Sequence, residues 1–120
     1  MSRDHRKLRA FQLADRLVLD IYHSTKKFPP EERFGLTQQV RRAAVSTACN
    51  IVEGSARDGE SEYVNFLNIA AGSASETRYL MDLSGRLKLV DGQASEELVA
   101  DYTVLCAQLH AIIRTLRSGR

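Results

Sequence analysis

Four stretches of this chain repeat apolar residues at steps of three and four, and no stretch alternates apolar and polar residues for long enough to make a strand. Steps of three and four return to one face of an α-helix, so each stretch gathers its apolar residues into one stripe. The pattern therefore predicts four amphipathic helices. The expected buried stripes are Leu8, Phe11, Ala14, Leu17, Val18 and Ile21; Leu36, Val40, Ala43, Ala44, Thr47 and Ile51; Phe66, Leu67, Ala70, Ala74, Thr77, Leu80, Met81, Ser84 and Leu87; and Leu98, Tyr102, Leu105, Leu109, Ile112 and Leu116.

Proline and glycine mark the expected breaks between these helices. Pro29-Pro30 ends the first helix, because proline disfavours helical geometry in the residue before it and cannot donate a backbone hydrogen bond. Asp58-Gly59 and Asp91-Gly92 are turn signals, and Asp58 or Ser61 is the expected N-cap of the third helix. The expected helices run from about residue 8 to 27, from 31 or 32 to 54, from about 61 to 90, and from about 95 to 118.

The chain has 120 residues, enough for one buried core and too few for two. Four amphipathic helices with short connections are expected to pack up-down-up-down, each antiparallel to the next. We therefore expect an all-α protein, a single antiparallel four-helix bundle that spans residues 1–120. An even number of antiparallel helices places both chain termini at the same end of the bundle.

Both ends of the chain are basic, although the formal net charge is only +2. Residues 1–9 hold four basic residues and one acid, residues 114–120 hold three basic residues and no acid, and the stretch between them carries 10 basic and 14 acidic residues. The basic tails, about 1–8 and 117–120, are expected to converge into one positive pole that suits nucleic-acid phosphates. The candidate residues of this pole are Arg3, Arg6, Lys7, Arg9, Arg114, Arg117 and Arg120.

Two further arginines, Arg41 and Arg42, lie in the middle of the second helix. Neighbouring residues are about 100° apart around a helix, so at least one of the two is expected to point outward. One interpretation is an ion pair inside the bundle, for example with a glutamate of the third helix. The alternative is contact with a nucleic-acid phosphate, for which the planar guanidinium is well suited.

The second and third helices each contain a run of small residues, at 43–49 and 70–75. Both runs lie about 13 residues from the Asp58-Gly59 turn, roughly 20 Å along each helix, so they are expected to meet at one level. Gly72 inside the third helix costs about 0.5–1 kcal/mol relative to alanine, and a close helix approach could offset that cost. One interpretation is a tight crossing within the chain; the other is a surface that admits another subunit.

The residues predict no active site, no cofactor and no metal site. A di-metal site in a bundle needs paired Glu-x-x-His motifs, and the chain offers only the single Asp20-x-x-His23. Cys49 and Cys106 show no zinc-binding spacing with the three histidines, and no phosphate-binding glycine loop is present. Pairing of a cysteine with His110 stays open as a nucleophile and base, but packing is the favoured reading.

The same residues indicate a cytoplasmic protein. Apolar runs are too short to span a bilayer, and the N-terminus lacks the apolar stretch of a secretory signal. Cys49 and Cys106 each sit in an apolar helical pattern, where a reduced thiol behaves as a small hydrophobe.

The run Gln38–Ser46 followed by Asn50-Ile51-Val52-Glu53-Gly54 closely resembles the 23S ribosomal RNA intervening-sequence protein family, a four-helix-bundle family also known by an S23 ribosomal label. The resemblance extends from about residue 9 to 117. The chain departs from the family where Ser46-Thr47-Ala48 replaces a frequent Ser-Ile-Pro and where Val52 replaces a frequent alanine. Supporting matches are Ile21-Tyr22, Phe28-Pro29, Phe66–Ala70, Gly72-Ser73 and Glu76.

This resemblance implies a bundle that assembles into a ring-like homo-oligomer, a pentamer. It also implies a link to RNA, because members can be encoded inside ribosomal RNA insertions and related accessory proteins of diversity-generating retroelements bind nucleic acid and a reverse transcriptase. Carried onto this chain, the motif marks Asn50, Glu53 and Gly54 as structural or interface positions. Asn50 and Glu53 are expected to hydrogen-bond the helix end and turn, and Gly54 to permit close approach.

Two functional hypotheses follow. The first is a non-enzymatic homo-oligomer that binds RNA or DNA through the basic pole as an accessory factor, mainly by phosphate contacts. The second is a structural module that recognises a protein partner, with basic tails that only add solubility. The acidic body and the lack of aromatic residues in the tails favour the second hypothesis.

Overall fold

The computed structural model describes residues 3–119 and contains four long helices joined by short connections. The helices are α1 (Arg9–Thr25), α2 (Leu36–Ser55), α3 (Glu60–Arg86) and α4 (Gly92–Ser118), with single 3₁₀ turns at His5–Lys7 and Pro30–Glu32. Within residues 3–119 there is no strand. The molecule measures 47 × 21 × 20 Å, close to the length of one long helix. The prediction of an all-α four-helix bundle is confirmed.

Each helix packs against its neighbours in the chain, and α4 closes the bundle against α1. Arg16 of α1 donates to Asp101 of α4 at 3.2 Å. Nearer the start of α1, Arg9 faces Gln108, and nearer its end His23 faces Ala94. The residue numbers thus fall along α4 as they rise along α1, so the two helices are antiparallel.

The core is formed mainly by the predicted stripes. It also includes residues that the stripes did not contain: Ala10, Tyr63, Val64, Ala71, Cys106 and Ile113. Burial of a large aliphatic side chain contributes about 1.5–3 kcal/mol, so these residues supply most of the driving force for helix packing. Leu87 is the one stripe residue that lies outside, 53% exposed, because α3 ends one residue before it. The largest fully buried side chains are Leu17, Ile21, Ile51, Leu67, Met81, Tyr102, Leu105 and Leu109.

Helix α2 begins at Leu36, so the prediction of a start at residue 31 or 32 was wrong. Residues 30–32 form a separate 3₁₀ turn instead. The carboxylate of Glu32 accepts a hydrogen bond from the backbone N–H of Leu36 at 3.1 Å. The Glu32 side chain therefore provides a hydrogen-bond partner for a backbone N–H in the first turn of α2, from a residue outside the helix.

The boundaries of α3 and α4 also differ from expectation. Gly59, not Asp58 or Ser61, occupies the N-cap position of α3. Helix α4 begins at Gly92 rather than near residue 95, since the Asp91 carboxylate accepts from the N–H of Ala94 at 3.3 Å and caps it. Asp91-Gly92 therefore starts α4 instead of ending α3.

The two cysteines lie in different environments. Cys106 is buried in the core, whereas Cys49 is exposed although it also falls in an apolar helical pattern. In α2 the residues that precede and follow it in the core stripe are Thr47 and Ile51, so Cys49 falls on the opposite side of the helix. Among residues 3–119, no helix is long and apolar enough to cross a membrane.

Candidate nucleic-acid interface

The first and last described residues, Arg3 and Gly119, lie at the end of the bundle where α1 begins and α4 ends. The described basic residues predicted for the positive pole lie here, and we call this set the basic end: Arg3, Arg6, Lys7, Arg9, Arg114 and Arg117. Arg120, the seventh predicted residue, lies outside the described residues.

Arg3 holds the N-terminal segment against the turn between α2 and α3. Its backbone N–H donates to the carbonyl of Ser55 at 2.7 Å, and its guanidinium donates to the carbonyl of Arg57 at 3.4 Å. The same guanidinium lies 4.1 Å from the centre of the Tyr63 ring, a cation–π distance. Arg3 therefore has a structural role in the free protein.

Arg6 is paired with Asp4 through two hydrogen bonds of 3.0 and 3.2 Å. Hydrogen bonds from the Arg6 side chain and then from its backbone N–H lower the pKa of the Asp4 carboxyl. The Arg6 side chain nevertheless stays largely exposed. The pair is thus a surface contact that offsets one positive charge of the basic end.

The other four residues of the basic end, Lys7, Arg9, Arg114 and Arg117, are exposed. None of them has a carboxylate partner within residues 3–119. Arg9 borders a shallow depression between α1 and α4. Arg114 and Arg117 line another depression near the end of α4. Lys7 lies in the 3₁₀ turn that packs against α1 and α2, and the other three lie on α1 and α4. All four cations are exposed to a ligand at this end.

The α2–α3 side of the same end is acidic. Glu53 pairs with Arg57 at 3.0 Å, and Asp58, Glu60 and Glu62 occupy the turn and the first turn of α3. The four exposed cations without a carboxylate partner in the described chain are therefore carried by α1, α4 and the N-terminal 3₁₀ turn, and not by the α2–α3 turn. Counting charges along the sequence does not separate the two sides.

Arg41 does not make the ion pair with an α3 glutamate that was one of its expected roles. Its Nε donates to the hydroxyl of Thr25 at 2.7 Å, and a terminal nitrogen reaches the carbonyl of Tyr22 at 3.4 Å. The guanidinium lies 4.5 Å from the centre of the Tyr22 ring. Arg41 thus joins α2 to the end of α1, whereas Arg42 is exposed.

These two arginines belong to a groove that the sequence analysis did not find. We call it the aromatic groove; it lies between the end of α1 and the start of α2. Phe34 stands at its edge with 81% of its surface exposed. The signal that could have revealed it is the Arg33-Phe34-Gly35 tripeptide, in which an aromatic residue directly precedes α2 and follows an arginine. The lining residues are Tyr22, Arg33, Phe34, Thr37, Gln38, Arg41, Arg42 and Val45.

The residues of the family motif make contacts within α2 and across to α3. Asn50 donates to the carbonyl of Ser46 at 2.8 Å, in the middle of α2 and not at the helix end as expected. Glu53 contacts the Arg57 side chain rather than turn backbone. A Cβ added at Gly54 would lie 2.8 Å from the Cβ of Phe66, so Gly54 does permit close approach of α3.

The small-residue runs of α2 and α3 meet at one level, where the hydroxyls of Ser46 and Ser73 share a hydrogen bond of 2.9 Å. Gly72 takes no part in that crossing. It is exposed, and a Cβ added there meets no neighbouring atom of the described chain within 4 Å. The close crossing therefore does not account for a glycine at this position.

The only Asp-x-x-His sequence, Asp20 with His23, lines a shallow depression together with Glu97 and Asp101. Within the described part of the chain, no group of three His, Cys, Asp or Glu side chains is placed to hold a metal ion. Cys106 lies 3.6 Å from the hydroxyl of Ser75, in a packed environment. His110 is exposed.

Comparison with known proteins agrees with this architecture. A family model described as 23S rRNA-intervening sequence protein matches residues 6–111. A crystal structure of a protein of unknown function from the S23 ribosomal protein family of Bacteroides thetaiotaomicron superposes with a TM-score of 0.82. The two chains are 26% identical, and the match covers 88% of this chain and 99% of the other. Among curated proteins, none matches this chain.

Proposed function

Because the chain belongs to the 23S rRNA-intervening sequence protein family, we propose that it is a non-enzymatic, homo-oligomeric bundle that binds RNA through the basic end. It acts as an accessory factor in the cytoplasm, where ribosomal RNA is found. The binding is mainly to phosphates and therefore only weakly sequence-specific.

The observation that carries this proposal is the group of four exposed cations at the basic end. Lys7, Arg9, Arg114 and Arg117 have no carboxylate partner in residues 3–119. A phosphate can approach them without first displacing an acid. Three of the four are arginines, whose guanidinium can hold a phosphate through two parallel hydrogen bonds.

Self-association is supported by the outer face of α3. Ile69 and Tyr79 are 51% and 56% exposed, and the exposed Gly72 lies between them. A mid-helix glycine costs about 0.5–1 kcal/mol relative to alanine, and no contact within the described chain accounts for this one. Close approach of a second copy of the chain would account for the glycine at this position. Repetition of one basic end around a ring would multiply the phosphate contacts available to one RNA.

The proposal is tested by RNA binding measured with fluorescence anisotropy. The informative variant carries alanine at Lys7, Arg9, Arg114 and Arg117, and leaves Arg3 and Arg6 in place because they have structural partners. The matched control carries alanine at four basic residues elsewhere on the bundle, Lys27, Arg78, Arg86 and Lys88. Circular dichroism establishes that both variants remain helical.

We expect the basic-end variant to bind RNA at least tenfold more weakly than the native chain, because four phosphate contacts are lost. The control variant changes the net charge by the same amount and should lose much less RNA affinity. Equal losses in the two variants would mean that net charge alone attracts RNA, and the basic end would then not be the site. If the native chain binds no RNA at low salt, the bundle is a protein-interaction module instead.

A further inference from the structure

We propose that the aromatic groove binds an unpaired segment of RNA, with a base stacked on Phe34 and phosphates held by Arg33 and Arg42. The inference rests on the RNA binding proposed above and adds a second site with a different chemistry. The groove lies at the start of α2, whereas the basic end lies beyond the other end of that helix.

The charge of the groove selects an anionic ligand. Three arginines line it, and none of the described residues that line it carries a carboxylate. The nearest acid in the sequence, Glu32, is turned to the backbone N–H of Leu36 at 3.1 Å. By contrast, the depression between the end of α1 and α4 is lined by three carboxylates. The groove is therefore a distinct positive site on a body that is acidic in total.

Phe34 presents a flat apolar face at the edge of this positive site. Its ring is 81% exposed, yet the backbone around it is well held. The N–H of Arg33 donates to the carbonyl of Pro30 at 3.1 Å, and the N–H of Gly35 donates to the carbonyl of Glu32 at 3.0 Å. The backbone that carries Phe34 is therefore held by hydrogen bonds on both sides of it.

One arginine of the groove is already positioned. Arg41 is fixed by Thr25 and by the carbonyl of Tyr22, and its guanidinium lies over the Tyr22 ring. Arg33 lies 5.4 Å from the centre of the Phe34 ring. Bases stack both on aromatic rings and on guanidinium planes, so the groove offers adjacent stacking surfaces. Such stacking requires bases that are not paired.

The lining favours a nucleotide over an apolar protein segment. Aromatic residues and arginines also form hot spots of protein interfaces. An apolar protein segment, however, would leave the charges of the three lining arginines without an anionic partner. The remaining lining residues, Thr37, Gln38 and Val45, carry no charge. A ligand that combines negative charge with a planar face fits this set better.

The experiment compares two RNA probes of equal charge: a single-stranded oligonucleotide that lacks internal pairing, and a blunt duplex. Stacking of a base is worth about 1–3 kcal/mol by alanine substitution. Phe34→Ala should therefore weaken single-strand binding roughly 5- to 150-fold and leave duplex binding unchanged. Leu19→Ala, which removes an exposed apolar side chain of α1 outside the groove, is the control and should change neither.

The outcomes separate this site from the basic end. If Phe34→Ala binds the single strand as well as the native chain does, the groove is not an RNA site. This holds even if the basic-end variant abolishes binding. A loss with Phe34→Ala but not with the basic-end variant would support the groove and contradict the proposed function as stated. If Phe34→Ala instead lowers the assembly mass in light scattering and leaves RNA binding intact, the groove contacts a second copy and the inference fails.

Discussion

At the scale of single residues, Lys88 adopts a conformation that its side chain disfavours. Its φ is 62°, in the left-handed region, and it is the one non-glycine residue among the described ones with a positive φ. The N–H of Leu89 donates to the carbonyl of Ser84, and the N–H of Lys88 donates to that of Gly85, both at 3.0 Å. This pair of bonds is a Schellman motif, in which the left-handed position usually holds glycine.

Lys88→Gly should therefore stabilise the protein. A left-handed conformation costs an L-residue about 1–2 kcal/mol, and glycine avoids that cost at the expense of a more flexible unfolded chain. We expect a net gain of about 0.5–1 kcal/mol in the free energy of unfolding, measured by urea denaturation. Lys88→Ala keeps the strain and serves as control. A loss of stability in the glycine variant would contradict this reading of the α3 end.

Tyr102 is the largest fully buried side chain, and its hydroxyl has no hydrogen-bond partner among residues 3–119. An unsatisfied buried hydroxyl costs about 1–3 kcal/mol. Tyr102→Phe should therefore keep or raise the free energy of unfolding at neutral pH, by up to about 1 kcal/mol. A loss greater than that would mean that the hydroxyl has a partner in solution, such as a buried water.

The same variant has a predicted pH dependence. Burial, followed by the negative charges of Asp20 and Cys106, raises the pKa of Tyr102 above its ordinary value. The unfolded phenol ionises near pH 10 and the folded one does not. The native chain should therefore lose stability as pH rises above about 10, and Tyr102→Phe should lose less. Parallel unfolding curves at pH 9 and pH 11 measure the difference, and equal losses would contradict it.

At the scale of helices, glycines at different positions have opposite structural roles. A Cβ at Gly54 would lie 2.8 Å from the Cβ of Phe66, whereas one at Gly72 meets no neighbour within the described chain. Gly85 resembles Gly54, because a Cβ there would collide with Ser95, whose hydroxyl donates to the carbonyl of Met81 at 2.8 Å. Two of these glycines thus set the spacing of adjacent helices.

Alanine substitution should separate these roles by sign. Gly54→Ala forces α2 and α3 apart and should destabilise the bundle by about 1–2 kcal/mol after the gain in helix propensity. Gly72→Ala has only that gain and should stabilise the isolated chain by about 0.5–1 kcal/mol. Urea unfolding at low protein concentration measures both. Stabilisation by Gly54→Ala would contradict the tight α2–α3 crossing.

The sequence predicted the number of helices and most of their buried faces, because apolar spacing depends only on helix geometry. It predicted helix ends less well. Glu32 caps α2 from a preceding 3₁₀ turn, and Lys88 ends α3 without a glycine. Both depend on contacts or strain that local propensity does not encode. Cys49 fell within an apolar run, yet it lies on the outer side of α2.

At the scale of the whole molecule, the antiparallel order of four helices was sufficient to place both termini at one end. The sequence did not predict which side of that end is basic. The N-terminal segment bends toward Ser55 and Tyr63, and four acids occupy the α2–α3 side. The aromatic groove was missed because its residues come from two helices and a connection that are separated in sequence.

Assembly can be tested at Gly72, whose outer position leaves the monomer fold unaffected by a larger side chain. Gly72→Gln should lower the assembly mass in multi-angle light scattering, because the new side chain would block close approach of a second copy. Gly92→Gln is the control, since a Cβ there also meets no neighbour within 4 Å. A native chain that is already monomeric at micromolar concentration would overturn the proposal of a homo-oligomer.

The most direct test of the central claim, phosphate binding by the basic end, is the salt dependence of RNA affinity. Each phosphate contact contributes about −0.7 to −0.9 to the slope of log affinity against log salt. The native chain should give a slope of about −3 or steeper, and the variant with alanine at Lys7, Arg9, Arg114 and Arg117 should give a much shallower one. An affinity that does not change with salt, or a slope that the variant leaves intact, would contradict the account.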